Sequence, residues 1–143
     1  MTEIEKKRLD VLLRHITHVR DNCILLGERL LEKEENIGLE LIQNGLIHDS
    51  SKLSGIQWLY LHGDVKESDP EKFELAALEH IKTNKHHPEA WSSIEEMPRV
   101  YLAEMCCDLV ARSNEFGNDV REWIKDTATK KFKFSVKGKV YKE

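Results

Sequence analysis

The sequence GLIHDSSKLSG, residues 45–55, places an imidazole, a carboxylate and an ammonium group within five positions. Two apolar residues lead directly into His48 and Asp49, and Lys52 follows three residues after the aspartate. Imidazole and carboxylate groups together are ligands for zinc, iron, manganese or nickel rather than for calcium. The segment therefore suggests a metal site, which would need further ligands from other parts of the chain.

Two histidines lie on the inward side of the first predicted helix. At 100° per residue, His18 shares a ridge with Val11 and Leu25, and His15 falls near Val19. A single inward histidine is usually a hydrogen-bonded core residue, so neither histidine alone indicates a ligand.

A second group of histidines surrounds a later proline. His80, Asn84 and His87 have the spacing i, i+4, i+7 and share one helix face if the helix persists to Pro88. His86 points elsewhere on an ideal helix, but the turn before the proline could redirect it. This group therefore supplies two or three further candidate ligands.

Two carboxylates follow on the next predicted helix. Glu104 and Asp108 are spaced i, i+4 among apolar neighbours. On a partly buried surface such a pair repels and loses hydration, so it needs a cation or protons. A solvated helix face is the alternative interpretation of this pair.

Together the candidates come from four helical segments, which a bundle can bring to one centre. They are His15, His18, His48, Asp49, His80, His86, His87, Glu104 and Asp108. None of the three cysteines has ligand spacing, which argues against a structural zinc site. We predict a site for one or two divalent transition-metal ions, namely Mn, Fe, Ni, Co or Zn.

The elements that would carry these residues are helical by their apolar periodicity. The predicted helices cover residues 4–31, 37–48, 69–84, 97–115 and 118–123, with a short apolar segment at 55–63. Leu46 and Ile47 are expected to anchor the second helix in the core. The chain is thus predicted to be a compact all-α bundle over residues 1–129. Residues 130–143 alternate apolar and polar side chains, which favours a small β-hairpin, with a frayed basic tail as the alternative.

Composition limits the class of protein. A chain of 143 residues with 40% hydrophobic and 34% charged residues suits one soluble domain. Its net charge of −4 gives no general attraction to nucleic acid or membranes. An odd number of cysteines, a charged N-terminus and the lack of a ~20-residue apolar run lead us to expect a cytoplasmic protein without a membrane span.

The ordered pattern of these residues resembles the HD-domain superfamily of metal-dependent phosphohydrolases, which are all-α proteins. The pattern consists of His18, the pair His48-Asp49, His80, the pair His86-His87 and Asp108. The segments HDSSK and HHPE are similar to features of the HD-GYP branch, although the GYP segment is absent. The pattern also looks like a small HD family found in bacteria and their phages.

The resemblance implies two metal sites that share Asp49, although HD proteins with one metal also exist. The ligands implied for the first site are His18, His48 and Asp108, and those implied for the second are His80 with His86 or His87. His15 and Glu104 are further candidates, either as ligands or as groups that orient ligands.

The function that the resemblance implies is a phosphomonoesterase or phosphodiesterase acting on a nucleotide or small phosphate ester through a metal-activated water. Asp49 and Lys52 are the candidate catalytic residues, with an exposed lysine as the alternative for Lys52. Arg14 and Asn84 are candidate substrate contacts, and the Trp91 indole could stack on a nucleobase, with core packing as its alternative role.

Two other functions remain open at this point. Some HD-fold proteins hold a di-iron centre and oxidise small molecules with O₂, and a non-catalytic module could bind a nucleotide. The lysines of residues 130–143 could contact nucleic acid, but a solubilising terminus is the expected role. We expect a small phosphate compound as the partner, and the sequence neither selects nor excludes a homo-oligomer.

Overall fold

The computed structural model describes residues 1–125, and every regular element there is helical, as predicted. The α-helices are α1 (Glu3–Glu32), α2 (Ile37–Ile47), α3 (Gly55–Tyr60), α4 (Gly63–Ser68), α5 (Pro70–Thr83), α6 (Arg99–Phe116) and α7 (Val120–Trp123). Three short 3₁₀ segments, Ser50–Leu53, Pro88–Ala90 and Ile94–Glu96, lie in the connections. The predicted hairpin and the predicted boundary at residue 130 lie outside the described residues.

Local signals set most of the helix ends. The Thr2 hydroxyl accepts from the Glu5 N–H, and the Glu5 carboxylate accepts from the Thr2 N–H, which completes a capping box at α1. Asp69 caps α5, whose first residue is a proline. Gly117 ends α6 in the left-handed conformation, at φ 69°.

Three glycines bring the backbones of α1 and α2 together. A Cβ atom at Gly27 would lie 2.7 Å from the Gly38 carbonyl oxygen, and one at Gly38 would lie 2.4 Å from the Gly27 carbonyl oxygen. A Cβ atom at Gly45 would lie 2.4 Å from the Cys23 Cβ. Since no real Cβ contact is that short, only glycine fits, and this contact determines which side of each helix faces inward.

Helix α6 packs against the α1–α2 pair and closes the core. The buried side chains of this core are Val19, Cys23, Leu41, Val100, Cys107 and Ala111. A second buried cluster joins α6 to the segment before it and consists of Ile94, Met97 and Met105, with Trp91 packed against it. Both clusters leave one face of α6 directed at the histidines of the other elements.

The predicted core anchor of α2 is wrong. Leu46 and Ile47 are 60% and 63% exposed, respectively. The inward residues of α2 are Gly38, Leu41 and Gly45, and the same ridge continues to His48 just after the helix. The two apolar residues after Gly45 are rotated away from that ridge, so the glycine contact fixes the position of His48.

Helix α5 ends at Thr83, close to its predicted end at residue 84, so the condition that it persists to Pro88 is not met. The chain then turns, so His86 and His87 reach the interior from a loop. The Asp119 side chain caps α7, where it accepts from the Arg121 N–H. Within residues 1–125, no helix combines the length and apolar character that a membrane crossing requires.

Candidate metal centre

The centre is assembled from five parts of the chain. Helix α1 contributes His15, the turn after α2 contributes His48 and Asp49, α5 contributes His80, the loop after α5 contributes His86 and His87, and α6 contributes Glu104 and Asp108. All of these side chains are buried except those of His87 and Asp108, which are partly buried.

A left-handed residue brings the adjacent pair of ligands inward together. Asp49 has φ 54° and ψ 13°, a conformation that is uncommon outside glycine but tolerated by aspartate. His48 and Asp49 are each only 1% exposed. Because consecutive residues of a regular helix point 100° apart, this turn is what allows both side chains to enter the same cluster.

One group of candidate ligands consists of His15, His48 and Asp108. The Nε2 atom of His15 lies 2.9 Å from Oδ1 of Asp108, and the Nε2 atom of His48 lies 4.0 Å from Oδ2 of the same carboxylate. Two imidazoles and one carboxylate thus surround a common point between α1, α2 and α6.

A second group consists of Asp49, His80, His86 and His87. The Nε2 atoms of His80 and His86 each lie 3.4 Å from Oδ1 of Asp49, and the Nε2 atoms of His80 and His87 are 2.9 Å apart. The other oxygen, Oδ2 of Asp49, lies 3.6 Å from Nε2 of His48 in the first group. Asp49 therefore stands between the two groups, with one oxygen near each.

Four of the imidazoles are held by their other nitrogen, Nδ1. The acceptors are Glu115 for His15 (2.9 Å), Glu104 for His48 (2.9 Å), Glu104 for His86 (3.1 Å) and Gln57 for His80 (2.8 Å). Since an ionised carboxylate only accepts, Nδ1 carries the proton in His15, His48 and His86, and Nε2 presents its lone pair inward. This is the arrangement that orients histidines toward a metal ion.

The inward atoms fit a cation. Within residues 1–125, five buried atoms of the cluster have no hydrogen-bond partner: Nε2 of His15, His48 and His86, and Oδ1 of Asp49 and Asp108. Nε2 of His15 and Oδ1 of Asp108 are 2.9 Å apart, but with the imidazole proton on Nδ1 neither of them has a hydrogen to donate. Buried polar atoms are nearly always satisfied, so five orphaned ligand-type atoms facing one another need an explanation. A metal ion bound in each of the two groups would satisfy them.

A further trio, His48, His86 and Glu104, also has ligand atoms close together. Here the nitrogens are the two Nδ1 atoms, and both lie at hydrogen-bond distance from the same Glu104 oxygen, Oε1. Glu104 therefore contacts the Nδ1 side of both imidazoles and not the inward Nε2 side, which favours the orienting role among its two predicted roles.

Electrostatics keeps the groups in their ligand forms. Burial lowers the pKa of His80 to about 3 and that of His87 to about 4, so both are neutral at pH 7. Burial alone would raise the pKa of Glu104, but hydrogen bonds from His48 and His86 lower it to about 2. Burial likewise opposes ionisation of Asp49, and nearby Lys52 and the histidines outweigh it and lower the pKa.

The structure brings His15, and not His18, together with the other candidate ligands. His15 lies in the centre, whereas the His18 side chain is 54% exposed and its Nδ1 lies 3.2 Å from the Glu115 carboxylate, which also holds His15. The ridge of Val11, His18 and Leu25 faces solvent because the glycine contact turns the neighbouring ridge inward. His15 therefore takes the place of His18 among the candidate ligands.

The predicted substrate residues are dispersed. The Lys52 ammonium donates to Oδ2 of Asp49 at 2.8 Å and is 20% exposed, so it already balances the charge of that carboxylate. Arg14 is exposed on α1. The Asn84 amide donates to the Ser51 hydroxyl at 2.8 Å and so ties the loop after α5 to the turn that follows Asp49.

Trp91 lies apart from the candidate ligands. Its indole N–H donates to the Lys85 carbonyl, and its ring centre is 5.7 Å from that of Tyr101. It lines a cavity of about 720 Å³, and none of the cluster's ligands lines that cavity. Core packing, the alternative role for this residue, is the one that the contacts support.

Two supporting residues were not predicted from the sequence, Glu115 and Gln57. Glu115 is seven residues after Asp108, which places both on one ridge of α6, so the periodicity that selected Asp108 also pointed to it. Gln57 is buried within the apolar segment GIQWLYL. A polar residue among apolar neighbours was the sequence feature that could have indicated its supporting role.

Fold and cluster together define an all-α protein with buried histidine and carboxylate groups that could hold a metal ion. The chain belongs to the Family of unknown function (DUF5662), whose profile matches residues 4–141. Neither the curated proteins nor the solved structures contain a match to the chain.

Proposed function

We propose that the protein is a metal-dependent phosphohydrolase that acts on a nucleotide or another small phosphate ester. The observation that carries this proposal is the position of Asp49. Its Oδ1 lies 3.4 Å from Nε2 of His80 and of His86, and its Oδ2 lies 3.6 Å from Nε2 of His48. The Nε2 atoms of His48 and His86 have no hydrogen-bond partner. A carboxylate shared between two ions is how hydrolases commonly hold a metal pair.

The residues divide between two ions. His15, His48 and Asp108 would hold the first, and His80, His86 and His87 would hold the second, with Asp49 contributing to both. Mn, Fe, Co, Ni and Zn all accept this set of nitrogen and oxygen donors. When bound, such ions lower the pKa of a water and polarise a phosphoryl oxygen.

The chain's own residues prepare that chemistry. Glu104 and Glu115 fix the direction of three imidazoles, and their negative charge raises the basicity of the nitrogens that would bind the ions. Lys52 holds Oδ2 of Asp49 and keeps the carboxylate ionised in a buried position. The HD resemblance supports the same function, with its first histidine moved from position 18 to position 15.

The test combines metal analysis with activity. Protein purified without chelator should contain transition metal and hydrolyse bis-p-nitrophenyl phosphate or members of a nucleotide panel. Asp49→Ala should abolish hydrolysis and lower the metal content, while Asp10→Ala should retain both, since Asp10 is an exposed carboxylate on α1 outside the groups of ligands. Circular dichroism would verify that both variants are folded.

Two outcomes would overturn the proposal. Metal-loaded protein that hydrolyses none of these esters but consumes O₂ with bound iron would assign the centre to oxidation. Protein that stays metal-free at micromolar Mn²⁺, Fe²⁺, Co²⁺, Ni²⁺ and Zn²⁺ would show that the orphaned atoms are not metal ligands.

A further inference from the structure

A second feature, a cavity of about 190 Å³, lies directly beside the candidate metal centre. Two of its lining residues also support that centre. The Lys52 ammonium contacts Oδ2 of Asp49, and the Gln57 side-chain carbonyl accepts from His80. A molecule bound in this cavity would therefore be one side chain away from the candidate ligands.

The charged residues that line this cavity are all cationic, and Val11, Leu12, Trp58 and Leu61 supply an apolar part of the lining. It contains the guanidinium groups of Arg8 and Arg112, the Lys52 ammonium and the imidazole of His62, and no described residue that lines it is acidic. The three charged groups come from three different elements. Lys52 is paired with Asp49 and Arg112 lies 3.5 Å from Glu115, whereas Arg8 makes no ion pair within residues 1–125. An anion is the ligand that such a lining attracts.

The two arginines are held in place but keep free donors. The Arg8 guanidinium lies 4.0 Å from the centre of the Trp58 ring and donates to the Trp58 carbonyl at 2.9 Å. Within the described part of the chain, the hydrogen bond of Arg112 is a long one of 3.5 Å to Glu115. Because a guanidinium has five N–H donors, each arginine retains donors for a bound oxyanion.

Size restricts the ligand to one small group. Sites for drug-sized ligands usually have volumes of about 300–1,000 Å³, which exceeds the volume of this cavity. A whole nucleotide therefore does not fit, but a single phosphate group does, and arginine forks match phosphate oxygens in geometry and charge.

We propose that this cavity binds a second phosphate group of the substrate, while the reacting phosphate lies at the metal centre. The inference rests on the proposed phosphohydrolase function and narrows its substrate class. The substrate is a compound with two phosphate groups close together, such as a phosphoanhydride or a nucleoside with a diphosphate group, rather than a simple monoester.

The experiment compares two non-hydrolysable probes by isothermal titration calorimetry. Methylenediphosphonate carries two phosphoryl groups and methylphosphonate carries one. Metal-loaded wild-type protein should bind the diphosphonate at least tenfold more tightly. Arg8→Gln should lose about 10- to 100-fold in affinity for the diphosphonate, the range expected for a hydrogen bond to a charged group, and little for the monophosphonate.

Arg112→Gln is a second variant with the same expected loss, and Arg29→Gln, an exposed arginine on α1 outside the cavity, is the matched control. Circular dichroism and metal content, measured before and after titration, show whether a variant is folded and keeps its ions. Arg8 is the more direct test, because Arg112 contacts Glu115, which supports His15.

The outcomes separate this inference from the proposed function. Equal affinity for the two probes, or full diphosphonate affinity in both arginine variants, would overturn the cavity as a phosphate site even in an active hydrolase. Conversely, arginine-dependent binding of the diphosphonate by a protein that hydrolyses no phosphate compound would support the anion site and overturn the hydrolase.

Discussion

Glu104 offers the sharpest test of how the candidate centre is held. A single oxygen of its carboxylate, Oε1, accepts from Nδ1 of both His48 and His86, at 2.9 and 3.1 Å. Glu104→Gln retains an oxygen that can accept both bonds but removes the charge. Glu104→Ala removes the acceptor itself and leaves two buried N–H groups without a partner. The pair of variants thus separates charge from hydrogen bonding.

The magnitudes follow from burial. All three residues are at most 5% exposed, so in Glu104→Ala each abandoned N–H group costs about 1–3 kcal/mol, or about 2–6 kcal/mol together. Removal of a group that orients a ligand typically lowers metal affinity by about 10- to 100-fold. Because one carboxylate orients two ligands, we expect a loss of about 100-fold in Glu104→Ala and about tenfold in Glu104→Gln.

The assay is competition for Zn²⁺ or Mn²⁺ against a chromophoric chelator, together with thermal unfolding in excess EDTA. Glu28→Gln, at an exposed site on α1, controls for the loss of one negative charge. If folded Glu104→Ala binds metal as tightly as the wild type, then the Nδ1 contacts do not orient ligands. The inward Nε2 atoms would in that case not form the metal site.

Two further predictions concern the histidines. His15→Gln should lower metal affinity at least tenfold and His18→Gln less than threefold, and the reverse order in the same competition assay would restore the assignment of His18. In metal-free protein, the folded state lowers the pKa of His80 and His87 to about 3 and about 4. In the unfolded chain both imidazoles therefore take up protons below about pH 6.5, but in the folded chain they do so only at about pH 3–4. The free energy of unfolding should therefore fall by up to about 1.4 kcal/mol per pH unit for each histidine as the pH drops from 6.5 to 4. Urea titrations at pH 7 and pH 5 measure this, and a His80→Gln/His87→Gln variant that shows the full loss would contradict it.

Local chemistry made the helices and the order of the candidate ligands predictable. A capping aspartate followed by proline marks the start of α5, and a glycine marks the end of α6. The expected all-α architecture is confirmed over residues 1–125. The ligand-type residues were predictable because imidazoles and carboxylates among apolar neighbours need partners, whatever the details of packing.

The sequence pattern failed where it had to choose between adjacent ridges of one helix. Helix α1 carries apolar residues on more than one side, so both His15 and His18 appeared to face inward. The choice is made by the contact of Gly27 and Gly38, which buries one ridge and exposes the other. That contact joins two helices and is a tertiary feature, which the periodicity of one helix does not contain.

The glycine contact between α1 and α2 also has a consequence for which ion the centre accepts. Where backbones touch, no layer of side chains remains that can shift, so the separation of the two helices is fixed by hard atomic contact. His15 is on one of these helices and His48 directly follows the other, so the distance between these two histidines is fixed as well. We therefore expect selection by ionic radius: a rigid pair of ligands holds ions of one size well and adapts little to larger or smaller ones.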